Sequence, residues 1–387
     1  MSLHLSNRHA SVLQSEIRSM SIACSRVNGI NLAQGVCDTP VPNEVLQGAS
    51  EALQQGVNTY THYAGIISLR EAIADKQERF YGIRYQPESE IIVSAGATGA
   101  LYAAFQALLN PGDEVILFEP FYGYHITTLQ AAEAVPLYLP LTLPEWSFSE
   151  HDLEQLVTPR TRAIIVNTPA NPSGKVFSLA EMERIAAFAE RYDLFVFTDE
   201  IYEHFLYEGH QHHSFAALPG MKERTITVSG ASKTFSVTGW RIGYALCDAR
   251  WAQAIGYFND LVYVCAPAPL QAGVARGMRE LDDRFYNHLS VDYQAKRDRF
   301  CATLAKAGLV PHIPDGAYYV LADVSALPGN SAHERAMHIL NRTGVASVPG
   351  SAFYQHGRGD GLVRFCYAKE DAILEEAYQR LERLREG

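Results

Sequence analysis

Short apolar runs alternate with helix-period segments through the first two-thirds of the chain, and this rhythm limits the fold more than any other feature. The runs Ile91–Ala95 (IIVSA), Glu114–Phe118 (EVILF), Ala163–Asn167 (AIIVN), Leu194–Thr198 (LFVFT), Thr225–Ser229 (TITVS) and Arg241–Cys247 (RIGYALC) are largely continuous rather than alternating in polarity. Continuous apolar strands mark a sheet buried on both faces. Between them, Leu69, Ala72, Ile73 and Phe80 share one helical face, and Leu179, Met182, Ala186 and Ala189 share another. Ser178 with Glu181 three residues on predicts a capping box at the start of the second helix. Asn110-Pro111-Gly112-Asp113 ends the helix that follows Gly99. Parallel strands need covering crossovers, so the pattern predicts an α/β fold with a mainly parallel sheet sandwiched by helices. Ligands of such folds sit beyond the carboxyl ends of the strands.

The last third has a different rhythm. Met278, Leu281, Phe285, Leu289, Phe300 and Leu304 predict one long helix, or two in series, ending near Gly308. Ala317–Asp323 and Leu362–Tyr367 read as strands, and Leu374, Ala377, Tyr378, Leu381 and Leu384 mark an amphipathic helix after Asp371. This is a smaller α+β unit, which the N-terminal arm would complete. There is no internal repeat or low-complexity linker, so the two units are expected to pack closely. Acidic residues outnumber basic ones by 43 to 32, for a formal charge of −11. That balance speaks against a broad grip on nucleic acid and leaves any anionic ligand to local arginines or backbone amides. No apolar run approaches the roughly 20 residues that span a bilayer. The start MSLHLSNRHA lacks the basic-then-apolar pattern of a secretory signal, and the six scattered cysteines form no CxxC pair. A cytoplasmic protein with reduced thiols and no metal site is expected.

The strand ends carry the chemistry. After the first run, Gly96-Ala97-Thr98-Gly99-Ala100 enters a helix with small residues only. A helix start with unpaired N–H groups suits a phosphate, and tight strand–helix packing explains the same residues. Asp199 ends the fourth run with Tyr202 close behind; it reads as an acid aimed at the crevice or as a solvated terminus. Asn171, in the turn Thr168-Pro169-Ala170-Asn171-Pro172-Ser173-Gly174, faces a ligand or merely turns the chain. Lys233, in Gly230-Ala231-Ser232-Lys233-Thr234, reads as an amine nucleophile or a surface lysine. Arg241 opens the next run, where a buried guanidinium would want an anion. Arg364 sits inside an apolar strand and needs either a substrate carboxylate or an ordinary ion pair. Together these place an anion cradle, an acid, an asparagine, a lysine and arginines at successive strand ends, a convergence that packing alone does not require.

At this point the chain resembles the fold type I pyridoxal-phosphate aminotransferases of class I/II, of the aspartate and kynurenine aminotransferase kind. The likeness runs from Asn31-Leu32-Ala33-Gln34-Gly35 to Val363-Arg364-Phe365-Cys366-Tyr367-Ala368-Lys369. It is strongest over Ser232-Lys233-Thr234-Phe235-Ser236-Val237-Thr238-Gly239-Trp240-Arg241-Ile242-Gly243-Tyr244, which is similar to the family's cofactor-lysine signature. The resemblance implies that Lys233 carries pyridoxal 5'-phosphate covalently and then shuttles the substrate's α-proton. It implies that Asp199 pairs with the pyridine nitrogen, that Tyr202 and Asn171 bond the ring's phenolic oxygen, and that Tyr122 stacks on the ring. Gly96, Ala97, Thr98, Ser232 and Arg241 would bind the phosphate, and Tyr60 would reach the phosphate of a neighbouring subunit. Arg364, Asn171 and the backbone of Gly35 would hold the substrate's α-carboxylate. It also implies a large cofactor domain over residues 40–280, a small domain from 1–39 and 281–387, and a homodimer with shared sites. Three stretches depart from the family's usual pattern: the phosphate turn is Gly96-Ala97-Thr98, where relatives vary, Gly230 stands where some relatives carry serine, with Ser229 beside it, and Val36-Cys37-Asp38 is unusual after Gly35.

The expected reaction is ping-pong transfer of an α-amino group from an amino acid to a 2-oxo acid such as 2-oxoglutarate. A carbon–sulfur β-lyase of the same fold is the alternative, and a non-catalytic cofactor-binding regulator a further one. A nucleotide enzyme is disfavoured because no GxGxxG opens a helix and Gly174-Lys175-Val176 fails the P-loop at its Ser/Thr position. His333 and His338 are five apart, about 140° round a helix, which does not make a zinc site. His210, His212 and His213 read as a solvated loop. No arginine stands out as a binder for a second carboxylate.

Overall fold

The computed structural model describes residues 3–4 and 15–385. Residues 1–2 and 5–14, on which the expectation of no secretory signal rests, and residues 386–387 lie outside the described residues. A seven-stranded sheet forms the centre, in the order Ile91–Ala95, Ile242–Leu246, Thr225–Gly230, Phe195–Asp199, Thr161–Asn167, Glu114–Glu119 and Val135–Pro140. The five strands from Thr225–Gly230 to Val135–Pro140 are mutually parallel. Ile242–Leu246 runs antiparallel to both its neighbours, so the sheet is mixed. The reason is length: residues 231–241 are too few for a covering crossover, so the chain turns back instead. That reversal keeps Lys233 and Arg241 at the edge where the parallel strands end.

Local signals explain the helices beside this sheet. Leu179–Arg191 starts on the Ser178–Glu181 capping box, with both reciprocal bonds made. Met182, Ala186 and Ala189 are buried as expected, but Leu179, in the first turn, is 42% exposed. Ala97–Leu108 follows Gly96, whose φ of 79° favours glycine, and buries Ala100, Leu101, Ala103, Ala104 and Phe105. Towards the end of the chain there are two helices in series, Ala268–Glu280 and Asp283–Lys306, divided where Asp282 caps the second through the Arg284 amide. The amphipathic tail is helical over Asp371–Leu381 and tightens to a 3₁₀ turn that takes in Leu384.

A second, antiparallel sheet holds Val348–Pro349, Leu362–Cys366, Tyr319–Asp323 and Val310–His312. Ile30–Asn31 pairs in parallel with Val345–Ala346 nearby. One apolar core joins Met20, Cys24 and Leu32 to Phe300, Leu304, Ile339, Phe365 and Leu381, so both ends of the chain share it.

Beneath the central sheet lies a buried polar group that ties a helix to a site-bearing turn. Lys76, on the helix Ile67–Tyr81, pairs with Glu203 at 2.6 Å and donates to the Tyr244 hydroxyl at 3.1 Å. Tyr81 and Ser229 donate to Glu203 at 2.5 and 2.6 Å. Glu200 accepts from Thr198 and from the Phe215 amide and meets His212 at 2.9 Å. His212 is therefore buried and engaged rather than part of a solvated loop, because Glu200 is buried and requires a partner. Burial pushes the Glu203 carboxyl up, but the charge of Lys76, helped by His204 and His212, overrides it and holds the carboxyl at about 2.

Glu203→Ala leaves Lys76 buried and unpaired, and is expected to lower the unfolding free energy by about 3–5 kcal/mol in urea titrations. With a depressed carboxyl, the wild-type contribution is complete above pH 4.5 and lost as pH falls toward 2, so the variant should show a flatter acid limb over that window.

Candidate active site

The carboxyl ends of the parallel strands open into a cavity of about 760 Å³ between the two sheets. Gly35, Ala97, Thr98, Tyr122, Asn171, Asp199, Tyr202, Ser232, Lys233, Arg241 and Arg364 all line it. Gly96 lies just behind, packed so closely on the Arg241 guanidinium that a Cβ there would collide with it. Tyr60 is not part of this cavity; it is 81% exposed on the same protomer's surface.

Lys233 follows the strand Thr225–Gly230 on the short helix Ala231–Thr234. Its Nζ donates to the Gly35 carbonyl at 3.0 Å and lies about 6 Å from the Tyr202 and Tyr318 rings. Burial pushes its ammonium below the usual lysine value, opposed by the Cys37 and Cys366 thiols and by Asp199, and reinforced by the Arg241 charge. Ser229 does not stand in for the serine missing at Gly230, because its hydroxyl points away to Glu203.

Asp199 ends its strand with Oδ2 2.8 Å from Nε2 of buried His125 and Oδ1 accepting the Ile201 amide. His125 was not singled out in the sequence: its partner is 74 residues away, and a histidine inside a helix carries no local signal. Tyr319 is a second such residue. Its hydroxyl meets that of Tyr202 at 2.9 Å, and its ring lies 4.3 Å from the Arg364 guanidinium. It also packs on Gly35 closely enough to exclude any Cβ there. Burial, then Tyr319, pushes the Tyr202 phenol well above its usual value, so it is a neutral donor.

Arg364, fully buried, has no ion-pair partner among the described residues. Its Nη1 donates to Asn171 Oδ1 at 2.8 Å and its Nη2 to the Ala33 carbonyl at 2.5 Å, while Nε has no partner. Asn171 is itself set by its amide bonding Asn167 Oδ1 at 2.8 Å. A buried guanidinium held by neutral acceptors keeps its charge available for a carboxylate. Arg241 differs from the expectation: it is exposed rather than buried, with φ 57°, and precedes the strand. Its guanidinium donates to the Thr238 and Ala95 carbonyls at 3.0 and 3.4 Å, beside the start of the helix Ala97–Leu108. That helix makes its first backbone bond from Gly99, which leaves the Ala97 and Thr98 amides at the cavity lining. The opposite wall is the helix Glu16–Arg26 of the N-terminal arm.

Comparison with known proteins gives the same outline. The family model for aminotransferase class I and II matches residues 27–381. The chain is 37% identical over 379 residues to the probable N-succinyldiaminopimelate aminotransferase of Mycobacterium tuberculosis, covering 95% of each chain. It is 35% identical to the kynurenine–oxoglutarate transaminase 3 of Rattus norvegicus, covering 90% of this chain and 83% of that one. The solved structure of N-succinyldiaminopimelate aminotransferase from M. tuberculosis superposes with a TM-score of 0.95 at 36% identity, over 98% of this chain and 100% of that one. With its strand-end lysine, acid and arginines gathered in one cleft, the chain belongs to the class I and II aminotransferases, a pyridoxal-phosphate-dependent family whose substrates are amino acids and 2-oxo acids.

Proposed function

We propose that this cleft holds pyridoxal 5'-phosphate and moves the α-amino group of an amino acid to a 2-oxo acid such as 2-oxoglutarate by ping-pong exchange. One observation carries the reading: the amine of Lys233, the carboxylate of Asp199 and the guanidinium of Arg364, which has no carboxylate partner among the described residues, face a single cavity. The donor set fits the cofactor. The Ala97 and Thr98 amides, the Ser232 hydroxyl and Arg241 make a phosphate cradle, and side-chain-free Gly96 lets Arg241 close on it. Asp199, oriented by His125, suits a protonated ring nitrogen, and the amine of Lys233 suits an aldehyde.

When bound, the cofactor supplies an aldehyde for amines and a ring that accepts the electron pair released from Cα. The protein's residues do the rest. Arg364 takes the α-carboxylate with Asn171 and Gly35 beside it, which fixes the direction of the Cα–H bond. Nζ of Lys233, its pKa depressed by burial, takes that proton as a neutral amine and returns it on the other side of the exchange. Asp199 Oδ2, anchored on His125 Nε2, stabilises positive charge at the ring nitrogen. Tyr202 and Asn171 would hold the phenolic oxygen, and Tyr122, also in the lining, would cover the ring.

The architecture we propose divides into a large domain over 40–280 and a small one from 1–39 and 281–387, which the core shared by both chain ends supports. Exposed Tyr60, Tyr257, Leu261 and Val262 support a homodimer in which Tyr60 serves the phosphate site of the second copy. No helix among the described residues is long and apolar enough to cross a membrane, and cytoplasmic residence follows the thiol content. The relatives named above are aminotransferases, which favours transfer over β-elimination.

Incubation with an amino acid and a 2-oxo acid should exchange the amino group; release of ammonia with pyruvate would mark a lyase instead. Lys233→Ala should abolish exchange and leave no pyridoxyl adduct at this position after borohydride treatment. Asp199→Asn should lower kcat by about a hundredfold or more with far less effect on cofactor retention, read by titrating the cofactor's visible absorption. Arg364→Ala should raise KM for both the amino and the oxo substrate, in steady-state kinetics, by about tenfold or more.

A further inference from the structure

Two buried tyrosines from different sheets meet hydroxyl to hydroxyl in the cleft, and the pair has a direction. Tyr202 stands in the turn after the strand Phe195–Asp199, and Tyr319 opens the strand Tyr319–Asp323 of the antiparallel sheet. Their rings lie edge to face with centroids 5.7 Å apart, and their oxygens are 2.9 Å apart. Both side chains are buried and line the cavity. Among the described residues neither hydroxyl has another hydrogen-bond partner. The neighbouring Tyr318 hydroxyl is engaged separately, donating to the Gly35 carbonyl at 3.3 Å.

Strand register brings Tyr319 to this place. Leu321 lies opposite Arg364, so Tyr319, two residues back on the same face, is the diagonal neighbour of that arginine. Only glycine at position 35 admits it, because a Cβ there would strike the Tyr319 hydroxyl. A phenol carries one proton and two acceptor lone pairs. Once Tyr202 directs its proton at the cofactor's phenolic oxygen, its own oxygen can only accept, and Tyr319 is the donor within the pair. The electrostatics favour that direction. Burial raises both phenols, but the Arg364 charge opposes the rise at Tyr319, whereas Tyr319 adds to it at Tyr202.

Resting on the aminotransferase reading, we propose that Tyr319 is a positioning residue: its hydroxyl donates to the Tyr202 oxygen and so holds the Tyr202 proton on the phenolic oxygen of the cofactor. A hydroxyl that accepts one hydrogen bond gives a stronger one. Tyr319 thereby favours negative charge on the phenolic oxygen and loosens the proton that this oxygen shares with Nζ of Lys233. It acts through Tyr202 and not on the reacting atoms.

The visible absorption of cofactor-loaded protein changes as that proton leaves, and the pH midpoint of the change is the readout. Tyr319→Phe keeps the ring and removes the donor, so the midpoint should rise by about 0.3–0.7 unit, roughly a twofold to fivefold gain in proton affinity. The effect should pass through Tyr202: in a Tyr202→Phe background, adding Tyr319→Phe should move the midpoint by less than about 0.1 unit. Asp199, Arg241, Arg364, Tyr122, Cys37 and Cys366 face the tyrosine pair or Lys233, and none of these variants alters them, so the comparison isolates the hydroxyl. A midpoint in Tyr319→Phe within about 0.1 unit of wild type, or an equal rise in both backgrounds, overturns the assignment. In place of Tyr319, 3-fluorotyrosine, a stronger acid of nearly the same shape, should lower the midpoint; failure to do so overturns the assignment even where Tyr319→Phe does not fold. Wild-type protein that gains no visible absorption at any cofactor concentration overturns the reading beneath it. An absorption whose midpoint ignores residue 319 overturns this assignment alone.

Discussion

The turn-back of the chain between Gly230 and Ile242 is the constraint on which the site depends. A crossover there would carry the chain to the far edge of the sheet and deliver Arg241 to the wrong end. The short reversal instead keeps Lys233 and Arg241 within one connection, and it lets Ile242–Leu246 pair between Ile91–Ala95 and Thr225–Gly230. Glycines make that pairing tight: a Cβ at Gly243 would strike the backbone of Gly96 and Ala97. The start of the helix Ala97–Leu108 is thereby pressed against the segment that presents the lysine. The free amides at the start of that helix and the amine of Lys233 are neighbours because one strand runs backwards.

The electrostatics follow from burial rather than from net charge. An acidic protein gathers several cations in one cleft because the sheet and helices exclude nearly every other carboxylate from its lining. Acids close to the site are turned away and partnered elsewhere, Glu200 with His212 and Glu203 with Lys76. Asp199 alone faces inward from that acidic turn. Within residues 199–203 one carboxylate thus faces the cavity and two face away, and the buried Lys76–Glu203 pair holds the turn in that orientation.

Much of this was legible in the chain itself. Continuous apolar runs marked the buried strands, and the residues following them proved to meet in one cavity. What the sequence hid was relational. His125 and Tyr319 act through partners far along the chain, and nothing in their own neighbourhoods points to them. Arg241 looked like a buried arginine because it precedes an apolar strand, yet its left-handed backbone leaves it at the rim. His212 looked solvated because its neighbours are polar, whereas a distant glutamate draws it inside. Local periodicity reports which face of an element is apolar; it does not report which polar groups will be enclosed together.

The apolar core that joins Met20 and Cys24 to Phe365 and Leu381 has a consequence for how the protein is made. The helix Glu16–Arg26 can meet Ile30–Asn31 at once, but Val345–Ala346 and Val348–Pro349 only when that later stretch has been synthesised. The central sheet, encoded in between, is complete well before that moment. A nascent chain would therefore possess Lys233 and the start of the helix Ala97–Leu108 while the helix Glu16–Arg26, one wall of the cleft, still lacks most of its packing. Loss of the helix Asp371–Leu381 would loosen that wall from a place far along the chain.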